Sequence, residues 1–82
     1  MPCQVGMTTN LQRRKQQWES KCSNLRNWQK LDGPIKSRQE AQKKEEQYAR
    51  QYNCDSHAGG DEPDSPSAQW YIYKFEHDGC SG

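Results

Sequence analysis

Apolar positions recur along this chain in two different periods. Leu11, Trp18, Cys22 and Leu25 follow one another at spacings of seven, four and three, which puts them on one stripe of a helix. Ala41, Glu45, Tyr48 and Tyr52 follow at four, three and four, so a second helix carries a carboxylate in an otherwise apolar stripe. Trp70 to Phe75 alternates two faces of aromatic and β-branched residues, the period of a half-buried strand. Between these segments the chain is punctuated. Thr9-Asn10-Leu11-Gln12 and Ser37-Arg38-Gln39-Glu40 read as capping boxes that start the two helices, the first running to about Cys22. Gln4-Val5-Gly6 reads as a short strand, and Asn27 to Leu31 as another, ended by an Asp32-Gly33-Pro34 turn with Ile35 packing just beyond it. Asp55 to Gln69, with Gly59-Gly60, Pro63 and Pro66, has too little apolar material to pack and is expected to be a mobile loop, and Glu76 onward a tail.

The pattern predicts one α+β domain over residues 1–82, in the order β-α-β-α-loop-β. Its three-stranded antiparallel sheet would set the strand at 70–75 beside the one at 3–6, because that pairing lets the sheet cover both helix stripes. Leu, Ile, Val and Phe number only 7 of 82 residues, so the core must be thin. Three Trp, four Tyr and one Phe make up the difference, since each aromatic can bury on the order of 150 to 250 Å².

Charge is divided unevenly along the chain. Residues 1–54 hold 11 Lys/Arg against 5 Asp/Glu, and residues 55–82 hold 1 against 6, so a basic body is hidden in a net charge of +1. A polyanionic partner suits the first part, although charge runs on small helices also serve simply as solvated faces. No apolar run approaches the roughly 18 residues a membrane span needs, and Met1 to Asn10 lacks signal-peptide features, so a cytoplasmic protein with no membrane partner is expected. On that expectation Cys3, Cys22, Cys54 and Cys80 are reduced thiols or metal ligands rather than two disulfides.

Arg14 lies three residues after Leu11 and four before Trp18, on the inward stripe of the first helix, as Glu45 does on the second. Burying an unpaired charge is costly, so the two need a partner or a purpose. They could pair with each other. Arg14 could also extend to water along its apolar stem, and Glu45 could pair with Lys44 or Arg50 at the helix rim. A carboxylate that holds Mg²⁺ and an arginine that neutralises a phosphate are the functional alternative.

These residues resemble the GIY-YIG nucleases. In that family a Gly-Ile-Tyr strand is followed by a Tyr-Ile/Val-Gly strand, a polar turn and a helix with an arginine eight residues past the glycine. Gln4-Val5-Gly6 stands in the second position, Gly6 plus eight is Arg14, and Ala41 with Glu45 matches a later Ala-xxx-Glu. Tyr71-Ile72-Tyr73 stands for the first motif but at the other end of the chain, so the sequence looks like a circular permutant opened in the hairpin between the first two strands. Gln4 replaces the family's second tyrosine, Tyr71 its first glycine, and Trp18 takes a place often held by histidine or tyrosine. The resemblance implies a nucleic-acid-binding domain, for DNA rather than RNA, and a metal-dependent phosphodiester hydrolase. In it Glu45 would hold Mg²⁺ or Mn²⁺, Arg14 would stabilise phosphate charge, and Tyr73 would orient or deprotonate water.

Two rival readings remain. Cys54-Asp55-Ser56-His57 and His77-Asp78-Gly79-Cys80 are mirror-image pairs whose ligands, Cys54, His57, His77 and Cys80, suit one tetrahedral Zn²⁺, and a small domain gains much from such a clip. A binding module without metal or catalysis would instead use exposed aromatics and basic helices.

Overall fold

Trp70–Glu76 organises the domain. In the structure, a computed structural model that describes residues 3–57 and 69–80, this strand, β5, lies between two others and presents different residues to each face. The elements before it are β1 (Cys3–Thr8), α1 (Leu11–Lys21), β2 (Cys22–Ser23), β3 (Arg26–Ile35), α2 (Arg38–Tyr52) and β4 (Asp55–His57); β6 (Gly79–Cys80) follows it. The α+β class and the antiparallel pairing of β1 with β5 are as expected, with Gln4 opposite Phe75, Gly6 opposite Tyr73 and Thr8 opposite Tyr71.

The sheet itself differs from the expectation. It has four strands in the order β3-β5-β1-β4 and is mixed, because β4 runs parallel to β1 with Gln4 opposite Asp55. Three residues of the expected loop at 55–69 thus form an edge strand, and residues 58–68 lie outside the described residues. A two-stranded ribbon of β2 and β6 sits apart from the main sheet, with Cys22 opposite Cys80, so part of the expected tail is structured. Nor does Asp32-Gly33-Pro34 end the third strand. β3 runs through it to Ile35 with irregular register, admitting Asn27 at φ 56° and Gly33 at φ 120° as local bulges. Asp32 holds the irregular stretch: one carboxylate oxygen accepts from the Gly33 N–H, while the other accepts from Lys44 Nζ and Tyr48 Oη, both at 3.1 Å.

Both helices start close to where the capping chemistry placed them. Asn10, rather than Thr9, caps α1, its side chain accepting from the Arg13 N–H at 3.1 Å, because Thr8 and Asn10 close a local turn in which the Thr8 hydroxyl accepts the Asn10 N–H. Ser37 caps α2, and Asn53 in the left-handed region ends it. Alternation along β5 then separates two packing layers. Val5, Met7, Trp70 and Ile72 meet Ala41 and Ala49 of α2 on one face. Tyr73 and Phe75 meet Leu11, Trp18, Leu25 and Trp28 on the other. The inward stripe of α2 is Ala41, Glu45 and Ala49, at intervals of one helical turn, with Tyr48 beside it; Tyr52 falls off the stripe and is 43% exposed. Two alanines there let the helix approach the sheet closely. Among the described residues no helix is long and apolar enough to cross a membrane.

Candidate functional site

The pairing of Gly6 with Tyr73 centres the site. A Cβ on Gly6 would overlap the Tyr73 hydroxyl and Cζ, so the phenol lies flat over the glycine and needs that position bare. Trp28 stacks on Tyr73 with ring centroids 4.7 Å apart and planes 18° from parallel. Trp18 Nε1 donates a 2.8 Å hydrogen bond to the phenolic oxygen. The result is a closed aromatic box in which Tyr73 is 1% exposed. Trp18 occupies the place where the resemblance leads one to look for histidine or tyrosine, and its indole can only donate. With that donor on it, the phenol is held in place and uses a lone pair to accept.

Arg14 enters the same layer from α1. It is half-buried between Leu11 and Trp18, both of which pack on the Tyr73 and Phe75 cluster. Helix periodicity therefore places the arginine and the tyrosine on the same side of the sheet, as the sequence suggests.

Glu45 belongs to the opposite layer. It is 0% exposed, flanked by Ala41 and Ala49, and neither carboxylate oxygen has a hydrogen-bond partner among the described residues. Burial pushes its carboxyl up to about 7, with Glu46 adding in the same direction. The pairing with Lys44 that the sequence allows is not made, because Lys44 is bound to Asp32 instead, and the carboxylate of Glu45 accepts no hydrogen bond from Arg14 or Arg50 either. An unpartnered carboxylate at this depth is unusual enough to ask what it serves. Mg²⁺ is commonly held by one or two carboxylates and keeps several waters, so Glu45 would hold such an ion only where its site opens to admit them. One shallow depression along α2 is lined by Lys43, Glu46, Gln47, Arg50 and Gln51, a mixed-charge outer face with no member of the Tyr73 cluster.

The tetrahedral set Cys54, His57, His77 and Cys80 is not assembled. Cys54 is bonded to Cys3 and Cys80 to Cys22, so the four cysteines form two disulfides, correcting the expectation of reduced thiols. The reason is register: Cys3 and Cys54 precede Gln4 and Asp55, which are opposite each other in the parallel pair, and Cys22 and Cys80 are opposite in the ribbon. Two residues with clear roles escaped the sequence reading. Asp32, taken for a turn residue, anchors α2 to β3. Cys22, taken for part of a helix stripe, lies with His77 and Cys80 in a cluster whose ligand atoms all fall within 4.8 Å of one another. The repeat of His-x-x-Cys against Cys-x-x-His was a signal for a cysteine-histidine cluster, but nothing in the spacing could show that the third member comes from residue 22.

Comparison of the chain with protein-family models, with curated proteins and with solved structures found no match in any of the three.

Proposed function

We propose that the protein is a circularly permuted GIY-YIG-like domain that binds nucleic acid, DNA rather than RNA, and hydrolyses phosphodiester bonds slowly with Mg²⁺ or Mn²⁺. The observation that carries this reading is the antiparallel register that sets Gly6 opposite Tyr73, joining two half-motifs that lie 67 positions apart. Arg14, on the same side of the sheet, neutralises charge on a bound phosphate. Tyr73, enclosed by Trp18 and Trp28, would position water once that box opens. Glu45 is the residue that would hold the ion, which would polarise phosphate and water, and from the other face of the sheet it would meet Arg14 and Tyr73 only after the two layers rearrange. The basic residues of 1–54 provide the sequence-independent part of binding.

One observation favours a second reading, a domain that binds without cutting. Tyr73 is enclosed and Glu45 is carried by the helix on the other face, so the three residues share no single packing cluster. Two disulfides also support an oxidising compartment over a cytoplasmic one.

A supercoiled plasmid incubated with the protein and Mg²⁺ or Mn²⁺ tests both readings. Slow nicking that disappears in Glu45→Gln and in Arg14→Ala supports the hydrolase. Binding that weakens steeply with salt, without any nicking, supports the binder. Absence of binding at low salt excludes both.

A further inference from the structure

We propose that Cys22, His77 and Cys80 form a redox-gated site for Zn²⁺ or another thiophilic divalent ion. It is closed while Cys22 and Cys80 are a disulfide and opens to two thiolates and one imidazole when a dithiol reduces that bond. The inference stands apart from the nucleic-acid reading and uses none of its residues.

Three independent features point to the site. The ligand atoms of the three residues lie within 4.8 Å of one another. Zinc bonds of about 2.3 Å to sulfur and 2.0 Å to nitrogen put tetrahedral sulfurs roughly 3.8 Å apart and sulfur and nitrogen roughly 3.5 Å apart, so the two sulfurs part once their bond is cut and the imidazole closes in by about 1 Å. Second, His77 is 7% exposed and its buried Nδ1 has no hydrogen-bond partner among the described residues. A buried imidazole nitrogen left bare is a rarity that a metal ligand explains. Third, the segment is held by more than its disulfide. The Asp78 N–H donates to Ser23 O at 2.9 Å, and the Asp78 carboxylate accepts from Asn24 at 2.7 Å and Arg26 at 3.1 Å. The His77 ring also packs on Phe75, with centroids 5.8 Å apart. With these contacts on both sides, the two sulfurs stay neighbours once the bond between them is cut.

Exposure sets the direction of the exchange. Cys80 is exposed and Cys22 is buried, so a reductant thiolate attacks Cys80 Sγ and releases Cys22 as thiolate. The second thiol of the same reductant then resolves the mixed disulfide, releasing Cys80 and leaving the reductant as its cyclic disulfide. The dithiol has given two electrons, and ligation of Zn²⁺ by the two thiolates leaves its two protons in solution. Three protein ligands leave a fourth position for water on the exposed side, at Cys80.

The test uses the full chain, oxidised and after reduction by a phosphine that does not chelate zinc, titrated with Co²⁺ and then Zn²⁺. The reduced protein is expected to bind one Co²⁺ with thiolate-to-cobalt absorption that one Zn²⁺ displaces, and the oxidised protein none. His77→Gln should weaken Zn²⁺ binding by more than about tenfold, the loss that removing even an outer partner of a ligand brings. His57→Gln should leave it unchanged. Since reduction also opens Cys3–Cys54, the Cys3→Ser/Cys54→Ser variant should retain the signal and Cys22→Ser/Cys80→Ser should lose it. Should the reduced chain unfold, circular dichroism with one equivalent of Zn²⁺ decides: refolding that fails in His77→Gln supports the site. A reduced chain that ignores Zn²⁺, folded or not, or cobalt binding indifferent to His77 and to Cys22 and Cys80, overturns the proposal.

Discussion

Glu45 makes the protein's stability fall as pH rises, and Glu45→Gln should abolish that fall. In the unfolded chain the carboxyl titrates near its ordinary 4.5, whereas in the folded protein burial raises it to about 7. Below 4.5 both states carry the proton and the group is neutral to stability. Between 4.5 and 7 the unfolded state ionises first, so stability is lost across that window, and above it the loss is constant. Such a shift is worth at most about 3 kcal/mol at 1.36 kcal/mol for each pH unit, and relaxation with water penetration around the ionised group lowers it to about 2 kcal/mol. Gln keeps the shape and cannot ionise. Urea unfolding followed by tryptophan fluorescence, with disulfides intact, should therefore show wild type and variant close together at pH 4. At pH 8 the variant should be ahead by about 2 kcal/mol, or roughly 2 M in midpoint for a slope near 1 kcal/mol/M. Groups other than Glu45 cancel in the comparison, including Asp32 and Asp78, whose hydrogen-bonded carboxyls are held low and act in the opposite sense. Parallel pH curves for the two proteins would mean that Glu45 has found a partner, and both the buried-carboxylate account and the metal role built on it would go. If the role is right, Mn²⁺ at pH 8 stabilises wild type, by about 2.7 kcal/mol at a hundred times its Kd, and leaves Glu45→Gln where it was.

Two further substitutions probe the frame around the site. Gly6→Ala drives a methyl into the Tyr73 phenol, which Trp28 prevents from retreating, and should cost about 1 to 3 kcal/mol in thermal or urea unfolding. Tyr73→Leu should recover part of that loss in the double variant, and strict additivity would refute the contact. Cys3→Ser/Cys54→Ser opens a crosslink spanning 51 positions and should lower stability by about 4 kcal/mol in the chain-entropy account, enough to unfold much of the protein at 37 °C. A loss under 1 kcal/mol would mean that the parallel edge strand holds without it.

Much of this arrangement was legible because it rests on local periodicity. Spacings of three and four around Leu11 and Trp18 fixed which face of α1 is inward, and Arg14 with it. Alternation from Trp70 to Phe75 put Ile72 and Tyr73 on opposite faces of β5, where they are found. The same reasoning overreached at Tyr52, since a stripe read at four, three and four did not allow for the tighter contact that Ala49 permits one turn after Glu45. It also placed Glu45 inward without saying inward to which layer. A helical period specifies a direction on its own element only, and the side of the sheet depends on how α2 crosses over, which no spacing encodes.

The strands that escaped detection have a common physical origin. Asp55–His57 has no apolar alternation, and Cys22–Ser23 and Gly79–Cys80 are two residues each, too short for any period to register. Each of them contains or directly follows a disulfide cysteine. Cys54 fastens β4 to β1 one residue before their pairing begins, and Cys22 and Cys80 are themselves the paired residues of the ribbon. Propensity alone would leave such strands unpaired, because two or three residues of polar backbone gain too little to offset their ordering. The sulfur bonds remove that entropy from the unfolded chain instead, and they do so where seven aliphatic and phenylalanine residues cannot supply a core. Thiols in this protein are thus a structural resource before they are a chemical one. Reduction should be felt first at β4, then at the β2–β6 ribbon, which Asp78 still ties to Ser23, Asn24 and Arg26, and last at the β3-β5-β1 core with the aromatic box around Tyr73, an order that amide hydrogen exchange of the reduced, metal-free protein reads directly.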